Sequence, residues 1–346
     1  MSIPIFGLQN DASVCYFNSL LQCILSLSDL SEEILQYDKE KLLKRKKLYS
    51  YYYFRFIEEI LKNHSLIKKN KYVFNPVELK RHFLQMSPFS TSGIGHQQDA
   101  DEFLISFFDN IHEELKSKMK LHPRLIGVGK EHKNFNEYLS IYKNEYSPIM
   151  RLFNIQETIK MLCDSCKSVK TRYELQLRIS VDIPSIRCSL NDCLSSVYRR
   201  PELLEGYKCD SCSEVSTTYK MTTLSIIPKY LIITLKRFSS MRGLRSTIEV
   251  PEKLNLDKYI YEVHHNILKM LDENKYQSLD YKLIGGVFHI GNMNGGHYIS
   301  VVKRGNNWIK CNDEDVDAME RKPDFSKAYI LFYKRKKYNK EIEVII

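Results

Sequence analysis

Gly7-Leu8-Gln9-Asn10-Asp11-Ala12-Ser13-Val14-Cys15-Tyr16-Phe17-Asn18-Ser19-Leu20-Leu21-Gln22 is the stretch on which the reading of the whole chain turns. Before Cys15 the residues are polar and turn-forming. After it Phe17, Leu20, Leu21, Ile24 and Leu25, with Ser28, fall at the spacing of one buried helical stripe. The pattern puts Cys15 at or beside a helix N-terminus, where unpaired N–H groups and the macrodipole favour an anion and lower a thiol's pKa. A small buried cysteine that merely opens a core helix fits the same position.

Length and composition narrow the class. At 346 residues and 43% hydrophobic content, the chain suits one large domain with subdomains and a substantial core. No run approaches the roughly 18 apolar residues of a membrane span. Met1-Ser2-Ile3-Pro4-Ile5 also lacks the features of a signal peptide. The expectation is a soluble intracellular protein of nucleus, cytoplasm or both, with no membrane partner. Nine cysteines without a secretory signal point to metal-binding or catalytic thiols and away from a disulfide framework. The net charge of +10, from 52 Lys and Arg against 42 Asp and Glu, would suit an acidic partner. The basic residues are spread among many Tyr, Asn and Ile, so they read as a solvated surface, and direct nucleic-acid binding is not expected. Lys334-Arg335-Lys336-Lys337 has the composition of a nuclear address, although a basic chain end is the commoner explanation.

Ser28 to Leu35 reads as a short helix capped by Ser28 or Ser31, and Lys39 to Lys47 as an exposed helix face or loop. Leu48 through Leu61 reads as a helix packing Phe54, Ile57 and Leu61 inward, and Asn75-Pro76 opens another through Leu84. Beyond Gly93 to Gly95, the apolar positions Leu104, Phe108, Ile111 and Leu115 define an amphipathic helix. Asp99, Asp101 and Glu102 fall in its first turn, where the dipole favours carboxylates. Leu121 to Ser147, broken by Gly127 and Gly129, reads as a loop or crossover. Arg172 to Ile179 has strand patterning, and from Pro228 onward so do 230–238, 281–290, 297–303, 307–311 and 328–334.

Cys163-Asp164-Ser165-Cys166 and Cys209-Asp210-Ser211-Cys212 are two C-x2-C pairs separated by residues 167–208. Together they supply four thiolates for one tetrahedral Zn2+, and with every position filled by cysteine the zinc is expected to be structural. Cys188 and Cys193 lack pair spacing and Cys23 falls on the first helix, so all three are read as structural.

The opening stretch resembles the cysteine box of the ubiquitin-specific protease family, matching at Gly7, Leu8, Asn10, Cys15, Tyr16, Asn18, Ser19, Leu21 and Gln22. Gln97-Gln98-Asp99-Ala100-Asp101-Glu102-Phe103 is similar to that family's second signature. Gly295-Gly296-His297-Tyr298 resembles its histidine box, preceded by His289-Ile290-Gly291, and Trp308 to Asp313 its third catalytic segment. Leu235-Lys236-Arg237-Phe238 and Ala328 to Tyr333 resemble two further family strands. The resemblance implies an α+β, papain-like cysteine protease fold. Its layout would be a helical thumb over about 1–147, zinc-bearing β fingers over 148–227 and a β palm over 228–346. It also implies Cys15 as nucleophile, His297 as base, Asn312 as its orienter with Asp313 assisting, and Asn10 as oxyanion donor. Asp99 and Glu102 would receive the arginine-bearing tail of ubiquitin, and Gly295 and Gly296 would leave room for its Gly-Gly end. Ubiquitin and ubiquitinated proteins are then the expected partners, with an activating protein or complex as a further one. With its short form and complete cysteine quartet, the chain resembles more loosely the histone deubiquitinases of SAGA-type coactivator complexes.

One departure stands out: Ala12 occupies a position usually held by glycine, and Val14 one usually held by threonine. If position 12 needs φ > 0, alanine costs on the order of 1 kcal/mol there. The expectation is a slow isolated enzyme whose loop is ordered by ubiquitin or a partner. An inactive ubiquitin-binding scaffold, a zinc-ribbon nucleic-acid binder and a protease for a ubiquitin-like modifier are the alternatives.

Overall fold

The computed structural model describes residues 3–11, 13–69, 71–85, 98–118, 133–238, 245–260, 279–292 and 295–336. Ala12, His96, Gln97, Gly127, Gly129 and Lys337 lie outside them.

A short parallel pair, β1 (Gly7–Leu8) with β2 (Val73–Phe74), flanks a set of helices. These are α1 (Cys15–Leu25), α2 (Ser28–Ile34), α3 (Lys39–Lys44), α4 (Leu48–Lys62), α5 (His64–Lys69), α6 (Val77–Gln85), α7 (Ala100–Leu115), α8 (Lys133–Asn144) and α9 (Pro148–Phe153). Every residue of α1 is buried, including the polar Asn18, Ser19 and Gln22, so the expected stripe extends right round the helix. A helix enclosed on all sides belongs in the middle of a fold. Here α1 packs against both α7 and the large β-sheet. The helical core is largely aromatic: Phe103 meets Phe17 at 5.3 Å between centroids, and Phe107 meets Phe83 at 4.5 Å and Tyr53 at 5.4 Å. Such offset and edge contacts add to the burial of large rings.

Three local expectations are corrected here. Neither Ser28 nor Ser31 caps α2: Ser28 is its first residue, and the Ser31 hydroxyl meets that of Tyr53 at 3.2 Å. In α4 the inward face carries Tyr53, Phe54, Phe56, Ile57 and Ile60, so Phe54 and Ile57 pack inward as expected while Leu61 is left 37% exposed. The segment expected as a loop over Leu121 to Ser147 contains α8, whose buried anchors include Leu139 and Tyr142 among charged and polar neighbours. So few apolar positions leave little periodicity to read.

The chain then enters a four-stranded antiparallel sheet through β3 (Ile155–Cys163) and β4 (Val169–Gln176). It leaves for β5 (Ile179–Val181), β6 (Arg187–Ser189) and α10 (Leu190–Tyr198), and returns as β7 (Glu202–Lys208) and β8 (Val215–Ile226). The sheet order is β4-β3-β8-β7, so the turns 163–168 and 209–214 meet at one end. The single strand expected over Arg172 to Ile179 is two: after Gln176 the chain passes from the small sheet to the large one.

The remaining strands are β9 (Tyr230–Leu235), β10 (Thr247–Glu249), β11 (Lys253–Asn255), β12 (Asp280–Asn292), β13 (Gly295–Arg304), β14 (Asn307–Asn312), β15 (Asp315–Ala318) and β16 (Ala328–Arg335). The large sheet runs β15-β14-β13-β12-β16-β9-β5, with β11 beside β12. Only the β5–β9 pair is parallel among its described pairings. All six residues of β9 are buried, as expected of a strand covered on both faces. The fold is α+β, and α1 crosses the sheet on β12, β13 and β14.

Asp101 locks these parts together. Its buried carboxylate accepts from Arg178 Nη2 and from Thr234 Oγ1, both at 2.6 Å, joining α7 to the β4–β5 passage and to β9. Asp101→Ala removes the charge partner of a largely buried guanidinium and is expected to cost about 2–4 kcal/mol. Urea unfolding checks this, and an unchanged midpoint would contradict it.

Candidate active site

The site lies where the segment around Cys15 meets strands β13 and β14. Cys15 is the first residue of α1, His297 is on β13 and Asn312 ends β14. The strand register sets Ser300 opposite Cys311, which makes Asn312 a diagonal neighbour of His297. Asn312 Oδ1 lies 2.5 Å from His297 Nε2. An amide oxygen only accepts, so Nε2 carries the hydrogen and Nδ1 is left with its lone pair. The imidazole is 40% exposed, and among the described residues it makes no hydrogen bond to Cys15.

Asp313 sits 3.9 Å from His297 Nε2, beyond hydrogen-bond reach. Its carboxylate is engaged elsewhere: Oδ2 accepts from Asn10 Nδ2 at 2.7 Å and Oδ1 from Asn18 Nδ2 at 2.8 Å. Its backbone carbonyl accepts from the Leu8 N–H at 2.8 Å. Asn10 Oδ1 in turn accepts from the Val14 N–H at 3.0 Å, and Glu314 Oε1 accepts from the Asn10 N–H at 2.7 Å. The side chain of Asn10 is therefore fixed, with one amide hydrogen on Asp313 and the second without a partner among the described residues. Gly7 lets the two segments meet this closely, since a Cβ there would lie 2.2 Å from the Glu314 carbonyl oxygen.

Lys80 clamps the other side of the loop. Its side chain is buried, and Nζ donates to the Gln9 carbonyl at 2.5 Å, to Asp11 at 2.6 Å and to Asn75 Oδ1 at 3.1 Å. Partial burial pushes the Asp11 carboxyl up, but Lys80 outweighs it and holds the group below its usual range. Within the described part of the loop, the left-handed residue is Ser13, at φ 55°. A single non-glycine residue pays for that conformation but adopts it.

The electrostatics overturn one expectation. Burial raises the Cys15 thiol above its ordinary pKa, and the Asp313 charge adds to the rise. The N–H groups of Tyr298, Tyr16 and Cys15 itself pull downward without prevailing. The helix terminus is real, but loss of water outweighs it.

Beside His297, β12 and β13 approach closely at Gly291 and Gly296. A Cβ on Gly296 would lie 2.5 Å from the His289 ring, so the space beside that glycine is filled by an imidazole. His289 packs at 5.0 Å from Phe238 and 4.7 Å from Tyr298, and Phe238 at 4.8 Å from Tyr329, forming an aromatic wall. Burial holds His289 below its usual pKa against the pull of Asp99. Asp99 caps α7, accepting from the Asp101 N–H at 2.6 Å, and accepts from the Tyr329 hydroxyl at 2.9 Å. Glu102 is exposed on the same turn.

Away from this site, the four sulfurs of Cys163, Cys166, Cys209 and Cys212 lie within 4.8 Å of one another. The two turns share one pattern. Cys163 N–H donates to Ser168 and Cys209 N–H to Glu214, while Lys167 and Ser213 donate back to the cysteine carbonyls and take φ of 57° and 62°. The Ser211 N–H faces Cys209 Sγ at 3.4 Å. Cys166 and Cys209 sulfurs are 3.8 Å apart, the separation that four metal–sulfur bonds of about 2.3 Å impose in a tetrahedron. The quartet has the geometry to hold a metal ion.

The sequence stretches expected to form the site are thus brought together, and three residues without an expected role join them. Asn18 was signalled only by its place in the cysteine box, Glu314 by adjacency to Asp313, and Lys80 by nothing in its helical surroundings.

A thiol at a helix start, an imidazole on the neighbouring strand and an amide fixing that imidazole are the parts of a cysteine hydrolase. The sequence model described as ubiquitin carboxyl-terminal hydrolase matches residues 6–333, and the chain belongs to that family. It is 30% identical over 354 residues to ubiquitin carboxyl-terminal hydrolase Usp2 of Drosophila melanogaster, covering 95% of this chain and 34% of that protein. It is 29% identical over 373 residues to the probable ubiquitin carboxyl-terminal hydrolase 4 of Schizosaccharomyces pombe, covering 97% and 60%. The chain thus spans between about a third and three fifths of the length of these curated relatives. Among solved structures, the fold matches the SAGA deubiquitinating module of Ubp8, Sgf11, Sus1 and Sgf73 bound to monoubiquitin. That match has a TM-score of 0.69 and 23% identity, over 97% of this chain and 70% of that one.

A raised thiol pKa has a direct consequence for reactivity. In His297→Ala, Cys15 keeps its proton until the pH exceeds the ordinary thiol value of about 8.5, because only the thiolate reacts. Alkylation by iodoacetamide should then be slow at neutral pH and climb only in the alkaline range. Neutral-pH alkylation of that variant as fast as that of free cysteine would contradict burial as the dominant effect.

Proposed function

We propose that the chain is a deubiquitinase that hydrolyses the isopeptide or peptide bond after the C-terminal glycine of ubiquitin. The observation that carries this reading is the 2.5 Å contact of His297 with Asn312 beside the buried Cys15, in a chain of the ubiquitin carboxyl-terminal hydrolase family. In the reaction, His297 Nδ1 takes the Cys15 proton as sulfur attacks the glycine carbonyl. The same nitrogen then protonates the departing lysine amine. Water, deprotonated by His297, opens the thioester and frees the carboxylate. Asn312 keeps the ring in the required tautomer. The spare amide hydrogen of Asn10 and the Cys15 N–H stabilise the oxyanion, an interaction of about 3 kcal/mol where comparable donors have been removed.

Asp313 serves this chemistry through Asn10 and Asn18 more than through the imidazole. Glu102, with Asp99 behind it, offers negative charge to the basic tail of ubiquitin. The missing Cys15–His297 hydrogen bond leaves an alignment step for substrate or a partner protein to complete. If the aligned site is populated at only ~10%, about 1.4 kcal/mol of differential binding brings it to near parity. The metal of the cysteine quartet is zinc, held by Cys163, Cys166, Cys209 and Cys212. It is structural because all four ligand positions are protein sulfur.

Cys15→Ser and His297→Ala are each expected to remove nearly all cleavage of a ubiquitin amide substrate with unchanged circular dichroism. Wild-type turnover by either variant would refute the mechanism. Asn312→Ala should lower kcat far more than it alters KM, since it orients the base without touching ubiquitin.

Elemental analysis of the native chain should find one zinc per molecule. Cys209→Ser should lose the metal and weaken ubiquitin binding before it alters Cys15 alkylation. Zinc-free native protein would rule out the assignment.

A further inference from the structure

Cys188 and Cys193 belong neither to the active site nor to the metal-ligand quartet, yet their sulfurs lie 3.8 Å apart. Cys188 is half-buried on β6 and Cys193 fully buried on α10. The turn between them is fixed by a reciprocal cap: Ser189 Oγ accepts from the Asp192 N–H at 3.1 Å, and Asp192 Oδ2 accepts from the Ser189 N–H at 2.8 Å. β6 is itself held by β10, with Cys188 opposite Ile248. Cys188 opens onto a cavity of about 730 Å³ also lined by Arg187, Asp192, Trp308 and Lys322, so a small polar oxidant can reach it. Behind the pair, the buried Arg237 guanidinium donates to the carbonyls of Ala328, Ser246 and Ser326. Burial and the neighbouring Cys188 push the Cys193 thiol up, so the accessible Cys188 is the sulfur that meets an oxidant first.

We propose that Cys188 and Cys193 are a peroxide-sensitive dithiol that closes reversibly to an intramolecular disulfide. Cys188, the accessible sulfur, attacks hydrogen peroxide; an S–O bond forms, the O–O bond breaks and water leaves, giving a sulfenic acid at Cys188. Cys193 sulfur then displaces that hydroxyl as a second water, so two thiols lose two electrons and two protons while one peroxide is reduced to two waters. Closing from 3.8 Å to an S–S bond of about 2.05 Å asks for an approach of under ~2 Å, within reach of side-chain rotation. In a reducing compartment such a bond is transient and is reopened by thiols.

The test treats the full-length chain with a small molar excess of hydrogen peroxide, then alkylates it under denaturing conditions and digests it with trypsin. Cleavage after Arg187 and Arg199 leaves both cysteines in peptide 188–199. The expected product is that peptide short of two hydrogens and carrying no alkyl group, restored to a doubly alkylated peptide by dithiothreitol. Cys193→Ser should instead accumulate a dimedone adduct on Cys188. A doubly alkylated peptide after peroxide, or Cys188 passing to sulfinic acid without a disulfide, would overturn the proposal. The wild-type peptide mass decides the matter even if Cys193→Ser does not fold.

Discussion

The carboxylate of Asp313 ties the segment around Cys15 to the strands that carry His297 and Asn312. It lies at the end of β14, yet its oxygens accept from Asn10 and Asn18, which flank Cys15 in sequence. Charge-assisted hydrogen bonds of this kind are stronger than neutral ones, and the side chain is buried enough to keep them. Everything around it depends on that closure. Leu8 hydrogen-bonds to the Asp313 carbonyl, Gly7 sits under Glu314 where no Cβ fits, and Asn10 takes its orientation from the carboxylate. The same charge tends to keep the Cys15 thiol protonated, so the anchor of the loop opposes the state the chemistry needs.

That opposition gives His297 its importance. Burial and Asp313 together outweigh the helix terminus, so Cys15 in the free chain rests as a thiol in a site held by polar contacts. A resting thiol is less exposed to adventitious oxidation than a thiolate. In the proposed mechanism activation falls to the imidazole, whose tautomer Asn312 sets and whose ring is 40% exposed. The rigid parts are α1, enclosed by helix α7 and the sheet, and β13, whose register with β12 is continuous past the histidine.

Much of this was legible in the residues. The helix after Cys15, the strands around His297 and Asn312, and the C-x2-C turns each carry a local pattern, and local patterns survive into the fold. The α7 stripe of Leu104, Phe108, Ile111 and Leu115 is buried as its spacing requires. What escaped was decided by tertiary packing. Lys80 reads as one more surface lysine until α6 brings it under the Gln9–Asp11 turn. Helix α8 has too few apolar anchors to show a period, and Leu61, in the last turn of α4, lies beyond the part of that helix the core covers. The direction of the Cys15 shift was missed for a related reason: sequence shows a helix start but not how far water is excluded from it. The contact of Gly296 with the His289 ring, where a Cβ would lie 2.5 Å from the imidazole, carries no local sequence signal either.

The central claim is that Cys15 is the nucleophile of a site built to receive the C-terminus of ubiquitin. Incubating the intact chain with ubiquitin carrying a C-terminal thiol-reactive electrophile, beside SUMO-type and NEDD8-type counterparts, and mapping the adduct by mass tests it most directly. A single ubiquitin attached to Cys15, with the counterparts unreactive, is the result predicted here. No ubiquitin adduct, or attachment at a cysteine other than Cys15, would contradict it.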